Sequence, residues 1–264
     1  MLNQFFTDPI ALRAAQALGA AILALVVALI ARGYGIEIVR ETVVALVRGI
    51  TQITIVGFVL IFVLGGAEWL TIIVLLGMMV TGALIAERRA KQIPGVFQVT
   101  LSSILLGAGI VVAVMVLLGV IDIAPSSLIP VASMIIANSM NTTSLALDRF
   151  AAEVIAHTGQ IEAGLALGAA PNAVIAPYVQ ATVEASMIPS VNNLRSLGIV
   201  WIPGVMAGML LAGGNPLEAA IYQFAVIAMI FATAGMTAIF CMLFVRSHVF
   251  SPAEQLLLRP VEES

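Results

Sequence analysis

The chain has 264 residues, of which 61% are hydrophobic and 9% are charged. Soluble domains carry about 25% charged residues, so this composition excludes an ordinary soluble protein. The formal net charge is −3, and we expect no nucleic acid partner. The apolar runs are about 17 to 25 residues long, which suits helices that cross a bilayer, and they lack the alternation of barrel strands. We therefore predict an all-α, polytopic transmembrane helical bundle embedded in a lipid bilayer.

Seven membrane spans are predicted in chain order. The stretch between the first two, residues 33–48, alternates apolar and charged residues at helical spacing, which indicates a helix on the membrane surface or an extension of a span. The predicted spans cover residues 12–31, 49–65, 69–86, 97–120, 126–147, 195–213 and 218–245.

The cations predict the orientation, because Lys and Arg near span ends favour the cytoplasmic side. With seven spans, ten of the eleven Lys and Arg residues fall on one side, and only Arg13 falls on the other. We expect a multi-pass protein of the inner (plasma) membrane, with the amino terminus outside and the carboxyl terminus in the cytosol. The ten are Arg32, Arg40, Arg48, Arg88, Arg89, Lys91, Arg149, Arg195, Arg246 and Arg259.

The stretch 148–194 is too polar and too interrupted for a predicted span, and the orientation places it in the cytosol. We expect Gly159 to end the fifth helix, and we expect residues 161–170 to form a short helix of small residues that Pro171 stops. Pro171 then opens the next helix. A helix this short is unstable alone in water, so it needs a surface to dock against.

Polar residues concentrate in the predicted fifth span, where uncompensated polar groups are costly. Met134, Asn138 and Asn141 recur at helical spacing, which indicates a stripe that lines a substrate path or makes interhelical hydrogen bonds. Thioether and amide groups can hold a metal transiently, but no His, Cys or carboxylate lies deep in a predicted span, so no metal site is assigned. The candidate path residues are Gln52, Met134, Asn138, Met140, Asn141 and Gln223.

Gly204 and Gly208 form a Gly-x-x-x-Gly pattern in the predicted sixth span. Such a pattern lets helix backbones approach closely, at a dimer interface or within one subunit, and both alternatives remain open.

Several sequence blocks resemble one known family. The blocks are LALGAAP at 165–171, ASMIPSV at 185–191, LGIVWIPGVMAGMLLAGG at 197–214 and RGITQ at 48–52. They closely resemble the FetB (YbbM) family of ABC-transporter permeases. In addition, Glu162-Ala163-Gly164 followed by Gly168 is similar to the first half of the EAA-type loop, the cytosolic coupling helix of ABC permeases.

The resemblance implies one transmembrane permease domain over 1–264, with a cytosolic coupling region at 148–194 and a separate, FetA-like P-loop ATPase as partner. It links the bacterial family to iron export, and it implies kinship with plant aluminium-tolerance permeases, whose proposed cargo includes a nucleotide sugar. Such a transporter needs two membrane subunits, so a homodimer of this chain is expected. The residues that the resemblance assigns to ATPase coupling are Glu162, Ala163, Gly164, Leu165, Leu167, Gly168, Ala169, Ala170 and Pro171. Glu184 departs from the family pattern, in which a basic residue is expected.

The chain itself contains no G-x-x-x-x-G-K-[ST] motif, so ATP and Mg are expected at the partner subunit and no cofactor on this chain. The alternatives are an ion-coupled secondary transporter and an ABC permease for a nucleotide sugar or another polar organic cargo. No acid lies within a predicted span to carry a proton, which counts against the secondary transporter. His157 and His248 both lie outside the predicted spans, so we expect no enzyme.

Overall fold

The computed structural model describes residues 9–66 and 68–258, and within these ranges the chain is all-α, as predicted. These ranges contain no β-strand beyond two isolated backbone bridges. The chain divides into two compact units, Met1–Gly66 and Ala67–Ser264. Arg259, one of the predicted cytoplasmic cations, lies outside the described residues. The assignment of 1–264 to one permease domain stays a prediction.

The first unit is a pair of long helices, α1 (Pro9–Gly33) and α2 (Val39–Leu64). The connection between them, residues 34–38, turns at Gly35, whose φ of +81° lies in the left-handed region that glycine adopts without strain. Helix α2 begins ten residues before the predicted second span, so residues 39–48 extend that helix. Most apolar side chains of both helices are exposed, which suits a lipid environment rather than water.

The second unit is built around five long helices. Helix α9 packs against α4, α5 and α7, while α3 packs against α4 and α5. The helices of this unit are α3 (Trp69–Ala86), α4 (Val96–Leu117), α5 (Pro125–Ala156), α6 (Thr158–Ala166), α7 (Pro171–Ser196), α8 (Gly204–Leu211) and α9 (Pro216–Val245), with 3₁₀ turns at Glu87–Arg89 and Arg246–His248.

Two apolar clusters mark the two ends of this bundle. Cluster 1 contains Met115, Leu128 and Val226, and cluster 2 contains Phe150 and Met242, among other buried residues. Helices α3, α5 and α9 run from cluster 1 towards cluster 2, and α4 and α7 run back. The five helices therefore alternate in direction, as they do in an up-and-down bundle.

Five helices are long and apolar enough to cross a membrane by length and composition, which confirms a multi-pass membrane protein. These stretches are Ile10–Gly33, Val39–Leu64, Trp69–Arg89, Val96–Leu117 and Pro216–His248. Helices α5 and α7 have 32 and 26 residues, enough to reach across a bilayer, but they are not among these five because they are more polar. The predicted number of seven spans therefore stays a prediction.

The predicted sixth span, residues 195–213, is wrong as a single helix. Helix α7 ends at Ser196, residues 197–203 are not helical, and α8 has only eight residues. Gly198 adopts a φ of +75°, and Pro203 lacks the N–H that a continuing helix would need. Helix α8 is about 12 Å long, which is less than half of the hydrocarbon thickness.

Instead, residues 171–196 form one continuous helix that packs along α5 and α9. Its interior prolines, Pro177 and Pro189, and its polar residues lower its hydropathy, which is why the sequence indicated a stretch outside the membrane. The buried face of α7 carries small hydroxyl residues, Thr182, Ser186 and Ser190. These side chains fit a helix interface better than a lipid surface.

The course of α7 also gives Arg195 a different position from the predicted one. Leu194 packs against cluster 1, whereas Ile175, near the start of α7, belongs to cluster 2 with Val245. Arg195 therefore lies at the opposite end of the bundle from Arg246. The prediction that these two cations share one side of the membrane is wrong, because it depended on a span at 195–213.

Candidate coupling surface and transport path

A short helix, α6, lies where the coupling helix is predicted, but its bounds differ from the predicted 161–170, and its coupling role stays a prediction. Helix α6 covers Thr158–Ala166, so it begins three residues earlier and ends four residues earlier. Gly159 does not end the preceding helix, as was predicted, but lies inside α6. The break between α5 and α6 falls at His157, whose φ of −113° and ψ of 20° are not helical. Pro171 opens α7, as predicted.

Gly168 closes the carboxyl end of α6. Its N–H donates to the carbonyl of Leu165 at 3.0 Å, and the next N–H, that of Ala169, donates to the carbonyl of Gly164 at 3.1 Å. This pair of bonds requires a left-handed residue, and Gly168 has a φ of +84°. Gly168 therefore terminates α6 just after Ala166, before the chain reaches Pro171.

One side of α6 is fixed to the bundle. Ile161 is fully buried in cluster 2. Gly164 faces Val174 of α7 so closely that a Cβ at this position would lie 3.1 Å from a Val174 methyl carbon. The Tyr178 hydroxyl donates to Gln160 Oε1 at 3.2 Å. Apolar burial, close approach and a hydrogen bond together hold this short helix in place.

The other side of α6 is exposed among the described residues and forms, with residues 167–170, what we call the coupling face. Leu167 is 88% exposed, an unusual position for a large apolar side chain near a helix end. Three of the nine predicted coupling residues, Gly164, Leu165 and Pro171, are partly buried and hold the segment in place. The exposed six that make the coupling face are Glu162, Ala163, Leu167, Gly168, Ala169 and Ala170.

A carboxyl-terminal hairpin, residues 249–257, lies beside α6 and was not predicted. The Ser251 N–H donates to the carbonyl of Gln255 at 2.8 Å, and the Leu257 N–H donates to the carbonyl of Val249 at 2.8 Å. A groove of about 410 Å³ separates residues 253–256 from Glu162 and Leu165 of α6. The sequence does contain a signal for this packing, a run of three leucines at 256–258 in an otherwise polar tail. Two of these leucines are buried in cluster 2.

The cluster 2 end of the second unit is also its basic end. Exposed Arg88, Arg89 and Lys91 follow α3, and Arg246 follows α9. Arg149 on α5 forms an ion pair with Glu153 at 3.9 Å. Among the Lys and Arg residues that the structure describes in this unit, Arg195 lies at the other end.

Helix α5 carries three of the predicted path residues along one edge. Asn141 is exposed, Met134 is partly buried, and the Oδ1 atom of Asn138 is buried without a hydrogen-bond partner. Met140 lies on a different side of the helix, where it packs against Gly82 of α3. The structure thus groups Met134, Asn138 and Asn141 and separates Met140 from them.

The other two path candidates lie elsewhere. Gln52 is an exposed residue of α2, in the first unit. Gln223 is buried in α9, and its Oε1 accepts a hydrogen bond from the Met206 N–H at 3.0 Å. Met206 is in the first turn of α8, where backbone N–H groups lack helical partners. In this structure Gln223 therefore fastens α8 to α9.

Gly204 and Gly208 lie on the exposed side of α8. A Cβ at either position would meet no described atom within 4 Å. The alternative in which these glycines pack within one subunit thus has no contact to support it among the residues that the structure describes. Their role at a dimer interface stays a prediction.

Helices α4, α5 and α9 meet in a close, polar contact. The hydroxyl groups of Ser139 and Thr237 lie 2.9 Å apart and are buried. Gly107 of α4 lies directly against Thr237, whose Cα would be 2.9 Å from a Cβ at this position. Nearby, Met187 of α7 packs against Gly235 of α9. No group of three His, Cys, Asp or Glu residues that could hold a metal occurs in the described part of the chain.

Comparison with known proteins extends this description. Residues 14–250 match the family described as "Uncharacterised protein family (UPF0014)". The chain belongs to the UPF0014 family. It is 32% identical over 251 residues to "Probable iron export permease protein FetB" of Escherichia coli, covering 94% of this chain and 96% of that protein. The resemblance to the FetB family is thereby confirmed.

Plant members of the UPF0014 family are similar as well. "Protein ALUMINUM SENSITIVE 3" of Arabidopsis thaliana is 28% identical over 239 residues, covering 90% of this chain and 87% of that protein. "UPF0014 membrane protein STAR2" of Oryza sativa is 32% identical over 222 residues, covering 83% of this chain and 77% of that protein. No solved structure matches the chain.

In this UPF0014 chain, Glu184 lies within α7. Its side chain is exposed, and its Oε1 accepts a hydrogen bond from Gln180 Nε2 at 3.1 Å. Along the chain, Glu184 is 18 positions beyond the end of α6 at Ala166.

Proposed function

We propose that this chain is the membrane-spanning permease subunit of an ABC transporter, that it works as a homodimer with a separate P-loop ATPase, and that it exports iron or another metal. Membership of the UPF0014 family supports this proposal, as does the name of the E. coli relative, which describes a probable iron export permease.

The observation that carries the proposal is α6. A partner that drives transport must push on the membrane helices, so its contact has to be firmly attached to them. Helix α6 is attached through Ile161 and Gly164, and it presents a face of small residues and one exposed leucine, Leu167. A helix in a groove is a common mode of protein recognition, and an exposed apolar anchor is its typical feature.

The basic residues support a cytosolic position for the coupling face, where ATP is available. Arg88, Arg89, Lys91 and Arg246 lie at the same end of the bundle as α6, and such cations favour the cytoplasmic side. Helices α5 and α7 both pack along α9, which is a candidate span, so we infer that they also cross the bilayer. The seven spans are then α1 to α5, α7 and α9, with the amino terminus outside and the carboxyl terminus in the cytosol.

The exposed amide of Asn141 supports a path that a second copy completes. Asn141 lies on α5 two residues beyond Ser139, far from either end of the bundle along its axis. Its side chain is nevertheless exposed. Lipid offers an amide no hydrogen bonds, so a polar face at this depth belongs against water or protein. A two-fold dimer would enclose it between two identical faces.

The test compares two exposed leucines in a membrane preparation that contains the FetA-like ATPase. Leu167 on the coupling face is 88% exposed, and Leu117 at the opposite end of the bundle is 84% exposed. We expect Leu167→Glu to lose co-purification of the ATPase and Leu117→Glu to retain it, with equal membrane insertion of both variants. Equal recovery of the ATPase with both variants would contradict the coupling assignment.

The ion-coupled secondary transporter remains a second candidate because of Glu184. The argument against it was the lack of an acid within a span, and α7 supplies one. Vesicles that contain the purified chain alone separate the two functions. Transport that follows an ion gradient without ATP or an ATPase would favour the secondary transporter, and transport that requires both would favour the ABC permease.

A further inference from the structure

Glu184 is the fourteenth of the 26 residues of α7, so it lies at the middle of this helix. Its side chain is on the exposed side, while Thr182 and Ser186 face the bundle. The exposed residues of α7 near it are Pro177, Gln180 and Ala181 on one side and Ile188 one turn later on the other. The carboxylate itself is poorly suited to lipid.

Two contacts give the height of Glu184 in the bundle. Met187 lies within 3.3 Å of a Cβ placed on Gly235, which sets the register between α7 and α9. Since these helices run in opposite directions, Glu184 lies about 4.5 Å from that contact along the axis, beside Ala238. Ala238 directly follows Thr237, which meets Gly107 of α4.

Gly107 lies at the middle of α4, a candidate membrane span that covers Val96–Leu117. The middle of an apolar span lies near the middle of the bilayer, about 15 Å from either surface of the hydrocarbon. Glu184 is thus a carboxylate at mid-depth. Ionisable side chains at such depth are costly and mark the path of an ion or a substrate.

Glu184 forms no ion pair with any residue that the structure describes. Its recorded partner is Gln180, one helical turn away, whose Nε2 donates to Glu184 Oε1 at 3.1 Å. This bond orients the carboxylate and leaves the second carboxylate oxygen and the Gln180 amide oxygen as acceptors. Two oxygen donors next to each other, without a competing cation, suit a positively charged ligand.

We propose that Glu184, oriented by Gln180, binds a divalent metal cation half-way along the transport path. This inference rests on the proposed permease function and adds the binding point within it. Carboxylate and amide oxygens suit cations such as Mn²⁺. One carboxylate per chain makes a weak site, which a transporter needs in order to release its cargo, and a negative charge in the path disfavours an anion such as a nucleotide sugar.

The position of Asn141 supports a polar site at the height of Glu184. Helices α5 and α9 run in the same direction, and the contact between Ser139 and Thr237 sets their register. Asn141 therefore lies within about 2 Å of the height of Glu184 along the bundle axis. Its exposed amide and the carboxylate of α7 therefore lie at the same level of the bundle.

Direct binding of Mn²⁺ to the purified full chain in lipid nanodiscs, followed by electron paramagnetic resonance, tests this inference. Glu184→Gln keeps the size of the side chain and removes its charge. The matched control is Glu218→Gln, a change at an exposed residue in the first turn of α9. We expect Glu184→Gln to weaken Mn²⁺ binding by about 10- to 100-fold and Glu218→Gln to leave it unchanged.

The inference is overturned if the native chain binds no Mn²⁺, or if Glu184→Gln binds it as tightly as the native chain does. A second measurement, ATP-driven Mn²⁺ transport by the complete complex with its ATPase in proteoliposomes, separates this result from the proposed function. No ATP-driven transport by the native complex would contradict the metal-exporting permease. Full transport by the Glu184→Gln complex would contradict only the role of Glu184.

Discussion

The hydroxyl groups of Ser139 and Thr237 form a buried hydrogen bond of 2.9 Å between α5 and α9, at the point where Gly107 of α4 touches Thr237. Three helices meet there with no room for a further methyl group. The contact gives the bundle a fixed register, and it explains why a small residue stands at the middle of α4.

We expect Gly107→Ala to destabilise the bundle by about 1–3 kcal/mol, because the new Cβ would overlap Thr237 and push α4 away from α9. The control is Gly109→Ala in the same helix, where a Cβ meets no described atom within 4 Å. That change should be neutral or slightly stabilising. Thermal unfolding of both variants in detergent measures the difference, and equal melting temperatures would contradict the close packing.

Gly168→Ala tests the end of α6. Alanine in the left-handed conformation costs about 1–2 kcal/mol, so the last turn of α6 should open more often. We expect hydrogen exchange at the Ala169 amide to become about tenfold faster, and ATPase co-purification to fall. Gly159→Ala, inside the same helix, should slow exchange or leave it unchanged. Equal exchange in the two variants would refute the assigned role of Gly168.

Gln223→Met removes the acceptor that holds the Met206 N–H of α8. A hydrogen bond of this kind contributes about 1 kcal/mol, so exchange at Met206 should accelerate about fivefold. Gln223→Glu keeps an acceptor at the same place and should retain the slow exchange. If both variants exchange at the native rate, Gln223 does not hold α8, and the earlier interpretation of Gln223 as a path residue regains weight.

The two faces of α5 are distinguished by transport assays. Asn141→Leu and Met134→Leu change the edge that we assign to the path, and we expect both to reduce metal transport while complex formation is retained. Met140→Leu changes a side chain that packs against Gly82, conserves its volume and should retain transport. Loss of transport in Met140→Leu alone would place the path on the α3 side of the helix.

Much of this fold follows from the sequence, because long apolar runs indicate spanning helices directly. Five predicted spans coincide with the five apolar helices, although α2 begins ten residues before its predicted span. Helix α4 is a close match, at 97–120 predicted and Val96–Leu117 observed. A short helix between α5 and α7 is also predicted and observed, but at Thr158–Ala166 rather than 161–170, because Gly168 and not Pro171 terminates it. Its role in coupling stays a prediction.

Hydropathy is a poor guide where a helix buries its polar groups against a neighbouring helix. Thr182, Ser186 and Ser190 lower the hydropathy of α7, yet they are buried against other helices. In contrast, the apolar run around Ile199 and Val200 resembles a span, but both side chains are exposed in a loop. Composition alone cannot separate these cases, because the deciding contact comes from a different part of the chain.

The two interior prolines of α7 have a mechanical consequence. Pro177 and Pro189 have no N–H, so the carbonyl groups of Ala173 and Ala185 receive no bond from the residue four positions later. Each interruption softens the helix, and the segment between them, which carries Glu184, is left as a stiff lever about 18 Å long between two joints. A small tilt of the amino-terminal end of α7, next to α6, would thus turn this lever and swing its carboxylate without bending the rest of the bundle.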